Sequence, residues 1–178
     1  MHDSATLAHT VRVSEELVLR YVEGFDDTNR TARVDGLPNH LSWTIGHLSL
    51  TMHRAADKVA GFTDPQALPT TDWVAGDGTA GDPSRYDIES VCYGSKPVAD
   101  SKRYPRLDRS VAIFRSSIDR LAVATAEATP AMLEKEIAWG STELAAGDLV
   151  TRVVFHNGIH AGQLIDLRRA LGHGAVTG

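Results

Sequence analysis

Predominantly apolar positions recur in four segments of the sequence, at alternating intervals of four and three residues. Such intervals place the side chains in one stripe along a helix, so each segment predicts an amphipathic helix. The stripes are Leu7, Val11, Ser14, Val18, Tyr21 and Phe25; Leu41, Ile45, Leu48, Met52, Ala55, Val59 and Phe62; Leu107, Val111, Phe114, Ile118, Leu121 and Thr125; and Val153, Asn157, His160, Leu164, Leu167 and Leu171. Four stripes of similar length predict an all-α fold, namely a four-helix bundle.

Capping residues, prolines and glycines predict where these helices begin and end. Asn39 and Asp148 are the expected N-caps of the second and fourth helices, and Pro105 fits the first turn of the third. The residues that bound the predicted helices, in chain order, are Ser4 and Phe25, Pro38 and Gly61, Pro105 and Pro130, and Asp148 and Gly172.

The connection between the second and third predicted helices, residues 63–104, is too long for a bare loop in a compact domain. It is rich in proline and glycine, and we expect it to cross over one end or side of the bundle, with a short helix within residues 85–93. The glycines of residues 76–81 lack the Lys-Ser/Thr of a phosphate-binding loop, so a surface loop is the better interpretation. Residues 130–147 could hold a short extended pair.

Length, charge and cysteine content limit the function. A chain of 178 residues predicts a single domain, residues 1–178, and its net charge of -5 with scattered Lys and Arg disfavours nucleic acid as a partner. One cysteine, Cys92, excludes an internal disulfide and suits the cytoplasm. The N-terminal residues lack the pattern of a signal peptide, and no apolar run is long enough to span a membrane. We therefore expect a cytoplasmic protein.

Two of the eight histidines, His156 and His160, stand four residues apart in the last predicted helix. Residues at this spacing lie on one helical face, so two imidazoles can hold one metal ion. His160 falls within the arc of Val153, Leu164 and Leu167, and His156 lies at its edge. The alternative is a pair of ordinary core histidines, but two inward imidazoles without partners would cost roughly 1–3 kcal/mol each.

The second predicted helix offers a third ligand, His47, on the flank of its apolar stripe. His40 lies one heptad earlier on the same flank and is the nearest candidate for a catalytic or substrate-facing group. Tyr93 and Tyr104 could orient a substrate from the crossover. His53 points to another side and is expected to be exposed, while His2, His9 and His173 lie near the termini. Gly158 and Gly162 predict close packing of the last helix against another helix, with access for a ligand as the alternative.

Two segments resemble the DinB superfamily of four-helix, metal-binding proteins. The second helix carries Trp43-x3-His47-Leu48, and the last carries His156-x3-His160-x-Gly162-Gln163-Leu164. Tyr104-Pro105-Arg106-Leu107 also resembles the start of the family's third helix. The resemblance covers nearly the whole chain in helix order, and residues 63–104 are the part in which family members differ most.

The resemblance implies a three-histidine metal site made of His47, His156 and His160. In this family the metal is zinc, nickel or another divalent ion, and homodimers are common. Characterised members include S-transferases that use the low-molecular-weight thiols mycothiol or bacillithiol, and a mycothiol-dependent maleylpyruvate isomerase. Related iron sites of sulfoxide synthases carry a Glu two residues after the second histidine, where this chain has Gly162.

Two classes of function fit these features. The first is an enzyme in which the metal activates a thiol or water for transfer to, or hydrolysis of, a small molecule, because three histidines leave a coordination position open. The second is a non-catalytic metal- or ligand-binding bundle, such as a stress or sensor protein. The histidines could also be remnants that bind no metal at physiological levels.

Overall fold

The protein is predominantly helical in a computed structural model that describes residues 2–79 and 81–176. The elements, in chain order, are α1 Ser4–Arg20, α2 Leu41–Val59, β1 Trp73–Val74, β2 Tyr86–Asp87, α3 Ile88–Val91, a 3₁₀ turn Ser101–Arg103, α4 Leu107–Glu127, α5 Pro130–Glu134, β3 Glu136–Trp139, β4 Thr142–Ala145 and α6 Ala146–Ala170. The long helices α1, α2, α4 and α6 correspond to the four predicted stripes.

Several helix ends differ from the prediction. Helix α1 ends at Arg20 rather than Phe25, and the following turns close at Gly24, whose positive φ of 85° cannot continue a helix. The N-cap of α2 is His40 rather than Asn39, because the His40 ring accepts the N–H of Trp43. Helix α6 begins at Ala146, so Asp148 lies in its first turn and is not its cap.

The third predicted helix and the short segments also required adjustment. Pro105 lies two residues before α4, which begins at Leu107 with Arg106 as its N-cap. The short helix expected within residues 85–93 is α3, and it is confined to Ile88–Val91. The extended pair is confirmed: β3 and β4 form an antiparallel hairpin in which Glu136 pairs with Ala145 and Trp139 with Thr142.

Each long helix packs against two of the others, since α1 and α2 both contact α4 and α6. Their facing stripes form the main core, which includes Val11 of α1, Leu48 of α2, Ile118 of α4 and Leu164 of α6. Almost every residue of α2 is buried, because it is covered on a further side by the crossover. As a result, polar side chains of α2, among them His47, lie inside the molecule.

The crossover forms a second apolar cluster, here called the crossover core: Trp43, Leu50, Leu68, Trp73, Tyr86, Val91, Tyr104 and Ile113. It comes close to α2 at Gly46, where a Cβ would lie 2.5 Å from the Tyr86 ring. The hydroxyl of Tyr86 donates to the Ser42 carbonyl at 2.9 Å. Glycine is therefore required there so that the crossover can reach α2 and fix α3 beside it.

The glycines of α6 do not pack as predicted. A Cβ at Gly158 or Gly162 would meet no heavy atom of the described residues within 4 Å. The same outer side of α6 exposes Phe155 and Ile159, at 68% and 63% of their surface. This side of the helix is therefore uncovered within the described chain. None of the described helices is long and apolar enough to cross a membrane.

Candidate metal centre

Three imidazoles converge between α2 and α6. His47 comes from the second turn of α2, and His156 and His160 come from consecutive turns of α6. One ligand nitrogen from each of the three lies within 4.8 Å of the others. The Nε2 atoms of His156 and His160 are 3.2 Å apart. The i, i+4 spacing of the sequence thus places two rings together, and the packing of α2 on α6 supplies the third.

The orientation of His47 is fixed by two neighbours. Its Nδ1 lies 3.0 Å from the carbonyl oxygen of Val91, the last residue of α3, so this nitrogen carries the proton and donates. The Trp43 ring stacks on His47 with centroids 4.6 Å apart and an interplanar angle of 9°. Trp43 is itself held by donation from its indole N–H to Ser95 Oγ. The Nε2 atom of His47 therefore carries the lone pair that could bind a metal ion.

Burial keeps the three rings neutral. Burial is the main cause, and together with neighbouring positive charge, which for His156 includes Arg152, it lowers the pKa of His160 to about 3 and that of His156 to about 4. Burial also lowers the pKa of His47, against the Val91 hydrogen bond, which raises it. At neutral pH the rings therefore keep the lone pairs that a metal ion requires.

The nitrogens of the cluster fit a divalent cation. Nδ1 of His156 and Nδ1 of His160 are buried without a hydrogen-bond partner among the described residues. A neutral imidazole carries its proton on one ring nitrogen and a lone pair on the other. Both facing Nε2 atoms therefore have a lone pair only when each ring holds its proton on Nδ1. An ion that accepts both Nε2 lone pairs satisfies this pair, and three imidazoles form a known donor set for zinc.

A cleft of about 800 Å³ opens beside the cluster and is lined by His47 and His156. This volume is typical of a small-molecule site. Its walls come from α2, α6, the β3–β4 hairpin and Tyr93, which is 96% exposed. Of the two tyrosines considered from the sequence, Tyr93 therefore lies at the cleft, whereas Tyr104 is 1% exposed and packs edge-on against His40.

The contacts of His40 are those of a structural residue. Its Nδ1 accepts from Trp43 N–H, and its Nε2 lies 2.9 Å from the Val98 carbonyl, to which it donates. The ring is fully buried, and burial lowers its pKa to about 4. With both nitrogens occupied, the catalytic role predicted for His40 stays a prediction that these contacts do not support.

The expected exposure of His53 is wrong, because its side chain is 1% exposed. Its Nδ1 faces the Arg120 guanidinium at 3.1 Å, and the same guanidinium donates to Asp57 at 2.6 Å. Burial, helped by the Arg120 charge, lowers the pKa of His53 to about 4. The apolar periodicity of α2 could not predict the burial of His53, because the crossover covers the polar side of the helix as well.

Comparisons with known proteins identify a family and a shared fold. A family model described as the DinB superfamily matches residues 10–164, which include all three histidines. A crystal structure of a conserved protein from Enterococcus faecalis shares the fold, with a TM-score of 0.65 at 12% identity over 96% of this chain and 97% of that one. No curated protein matches the sequence.

The buried histidines predict an acid-sensitive stability. The pKa values of His40, His53, His156 and His160 fall from 6.5 in the open chain to about 4 or below in the folded protein. The unfolded chain thus takes up protons first, and the metal-free protein loses stability as the pH falls from 6.5 towards 4. We expect a loss on the order of 1 kcal/mol per histidine by about pH 5.

Urea unfolding midpoints of the metal-free protein between about pH 7 and about pH 5 measure this loss, because most carboxylates stay ionised in that range. His53→Gln reduces the slope. His9→Gln, at an exposed position of α1, is the matched control and leaves it unchanged. A midpoint that does not move over this range contradicts the prediction.

Proposed function

The chain belongs to the DinB superfamily, and on that premise we propose that it binds one divalent metal ion on His47, His156 and His160. We further propose that it is an enzyme that activates a thiol or water for transfer to, or hydrolysis of, a small molecule. The observation that carries this proposal is a cluster of three neutral imidazoles at the wall of a cleft. A structural zinc site is closed by four protein ligands, whereas three leave a position for a substrate.

Different residues of the proposed site orient the ligands and border the cleft. The Val91 carbonyl and the Trp43 ring hold His47 in one tautomer and one orientation. His160 is 7% exposed and lies behind His156, which borders the cleft. When bound, a divalent ion on such a set lowers the pKa of a coordinated thiol or water and supplies a nucleophile at neutral pH.

Zinc or nickel are the proposed metals, because imidazole nitrogens suit both ions. A low-molecular-weight thiol is the proposed co-substrate, by similarity to the thiol-dependent members of the family. The one thiol of the chain does not replace it. Burial and the nearby Glu89 carboxylate raise the pKa of Cys92, so that thiol is a poor nucleophile at neutral pH.

We propose that residues 1–178 form one cytoplasmic domain in which the four long helices make the family's bundle. The non-catalytic alternative, a metal- or ligand-binding stress or sensor bundle, shares the same fold and the same histidines. What favours an enzyme is the cleft of about 800 Å³ next to the cluster, because a purely structural site needs no such space.

A homodimer is proposed through the outer side of α6. Phe155 and Ile159 are exposed there in a helix whose inner side is fully packed. Gly158 lies between them, and a Cβ built there would meet no atom of another element within 4 Å in the described chain, so a second copy could approach the backbone closely. Exposed apolar side chains in such a group are typical of contact surfaces.

Metal content tests the ligand set. We expect protein purified without a His tag or nickel column, then incubated with zinc and dialysed, to retain one equivalent per chain. The His156→Ala/His160→Ala variant loses two of three ligands and retains none, while His9→Ala, exposed in α1, retains the wild-type amount. Equal and low metal content in wild type and double variant would show that the site is not real.

Turnover separates the enzyme from the non-catalytic bundle. We expect one or more low-molecular-weight thiols to react with a generic electrophile such as 1-chloro-2,4-dinitrobenzene, or an ester to be hydrolysed, in a metal-dependent way. The rate falls to the uncatalysed level in the His156→Ala/His160→Ala variant. Full metal occupancy without turnover by any thiol or by hydrolysis favours the non-catalytic alternative.

Sedimentation measures the oligomeric state. We expect a mass of twice 19.2 kDa for the wild type and 19.2 kDa for Phe155→Asp, because a carboxylate in the apolar contact opposes association. Val13→Asp, at a 49% exposed valine of α1, is the control and stays dimeric. A monomeric wild type at micromolar concentration contradicts the dimer.

A further inference from the structure

The cleft beside the histidines is positively charged in a chain whose net charge is -5. Arg54, Lys58 and Arg152 line it. The carboxylate among its described lining residues is that of Asp57. The net charge of the cleft therefore depends on whether the Asp57 carboxylate is free to neutralise these cations.

Asp57 is already fully engaged. Its side chain is 1% exposed, and one oxygen pairs with the Arg120 guanidinium at 2.6 Å. The other oxygen accepts the Gln66 backbone N–H at 3.0 Å and lies 3.6 Å from Arg54. The negative charge of Asp57 is thus neutralised by Arg120 and Arg54. The positive charges of Lys58 and Arg152 are then not balanced by this carboxylate.

Arg152 is the cation best placed to bind a ligand. It stands one helical turn before His156 on α6, and both side chains line the same cleft. Its guanidinium donates to Thr142 Oγ1 at 3.3 Å, and no carboxylate lies within ion-pair distance of it in the described part of the chain. Lys58, by contrast, donates to the Thr63 carbonyl at the far end of α2.

We propose that the cleft selects small molecules with an anionic group, a carboxylate or a phosphate, and that Arg152 binds this group. The guanidinium of Arg152, an exposed residue at the rim of the cleft, presents two parallel N–H donors to such an oxyanion. A molecule held in this way extends along one turn of α6, so its other end lies at His156. This inference rests on the proposed function for the reaction at that other end, while the anion site depends on Arg152 alone.

Calorimetric titration of the zinc-loaded protein tests the selection. Mercaptosuccinate and 2-mercaptoethanol share a thiol and differ in carboxylates. We expect mercaptosuccinate to bind at least about tenfold more tightly. In Arg152→Gln the two thiols bind within about threefold of each other, with unchanged zinc content and unchanged 2-mercaptoethanol affinity. Arg169→Gln, a 75% exposed arginine of the same helix paired with Asp166, is the matched control and keeps the preference.

Succinate and inorganic phosphate, titrated into the metal-free protein, separate this inference from the metal proposal. Binding of either anion that is lost in Arg152→Gln and kept in Arg169→Gln supports the anion site even if zinc does not bind, and the tighter anion identifies the group. The inference is overturned if wild type and Arg152→Gln prefer mercaptosuccinate equally. It is also overturned if neither the zinc-loaded nor the metal-free protein binds anions in a way that depends on Arg152. A wild type that binds anions but no zinc overturns only the metal proposal.

Discussion

The constraint on which the site depends is the packing of three imidazoles, two buried and one half-buried, whose ligand nitrogens lie within 4.8 Å of one another. Buried polar nitrogens without partners cost roughly 1–3 kcal/mol each, and two Nδ1 atoms of the cluster have none among the described residues. Packing alone does not explain such a group, since aliphatic side chains would fill the same positions at no such cost. In the proposed site a divalent ion takes the lone pairs of the facing Nε2 atoms, which gives these inward histidines a binding role.

The crossover of residues 63–104 supports this cluster from outside the helices. It is bound to α2 through the crossover core, for which Gly46 leaves room and Tyr86 supplies the contact. As a result α3 presents the Val91 carbonyl to His47, and Tyr93 reaches the rim of the cleft. The same segment buries His40 and His53, so the polar side of α2 faces protein rather than solvent.

Much of this could be predicted from the sequence, for identifiable physical reasons. Apolar periodicity located the long helices, and the positions of the histidines relative to the apolar arc of the last helix placed His160 inside and His156 at the edge, as in the structure. What could not be predicted depends on tertiary contacts: the Val91 carbonyl carries no residue-type signal, and His53 is covered by Trp73 of the crossover and contacted by Arg120, 67 residues away. The close helix packing predicted at Gly158 and Gly162 is not found within the described chain. Small residues indicate that close packing is possible but do not identify the element that packs there.

The most direct test of the three-histidine centre is the X-ray absorption spectrum of the zinc-loaded protein, with and without a thiol. For the proposed site we expect three imidazole nitrogens and one oxygen at about 2.0–2.1 Å, and replacement of that oxygen by one sulfur at about 2.3 Å when the thiol is added. Four protein ligands that stay in place in the presence of thiol would contradict an open catalytic centre. Absence of imidazole scattering would contradict the histidine site itself.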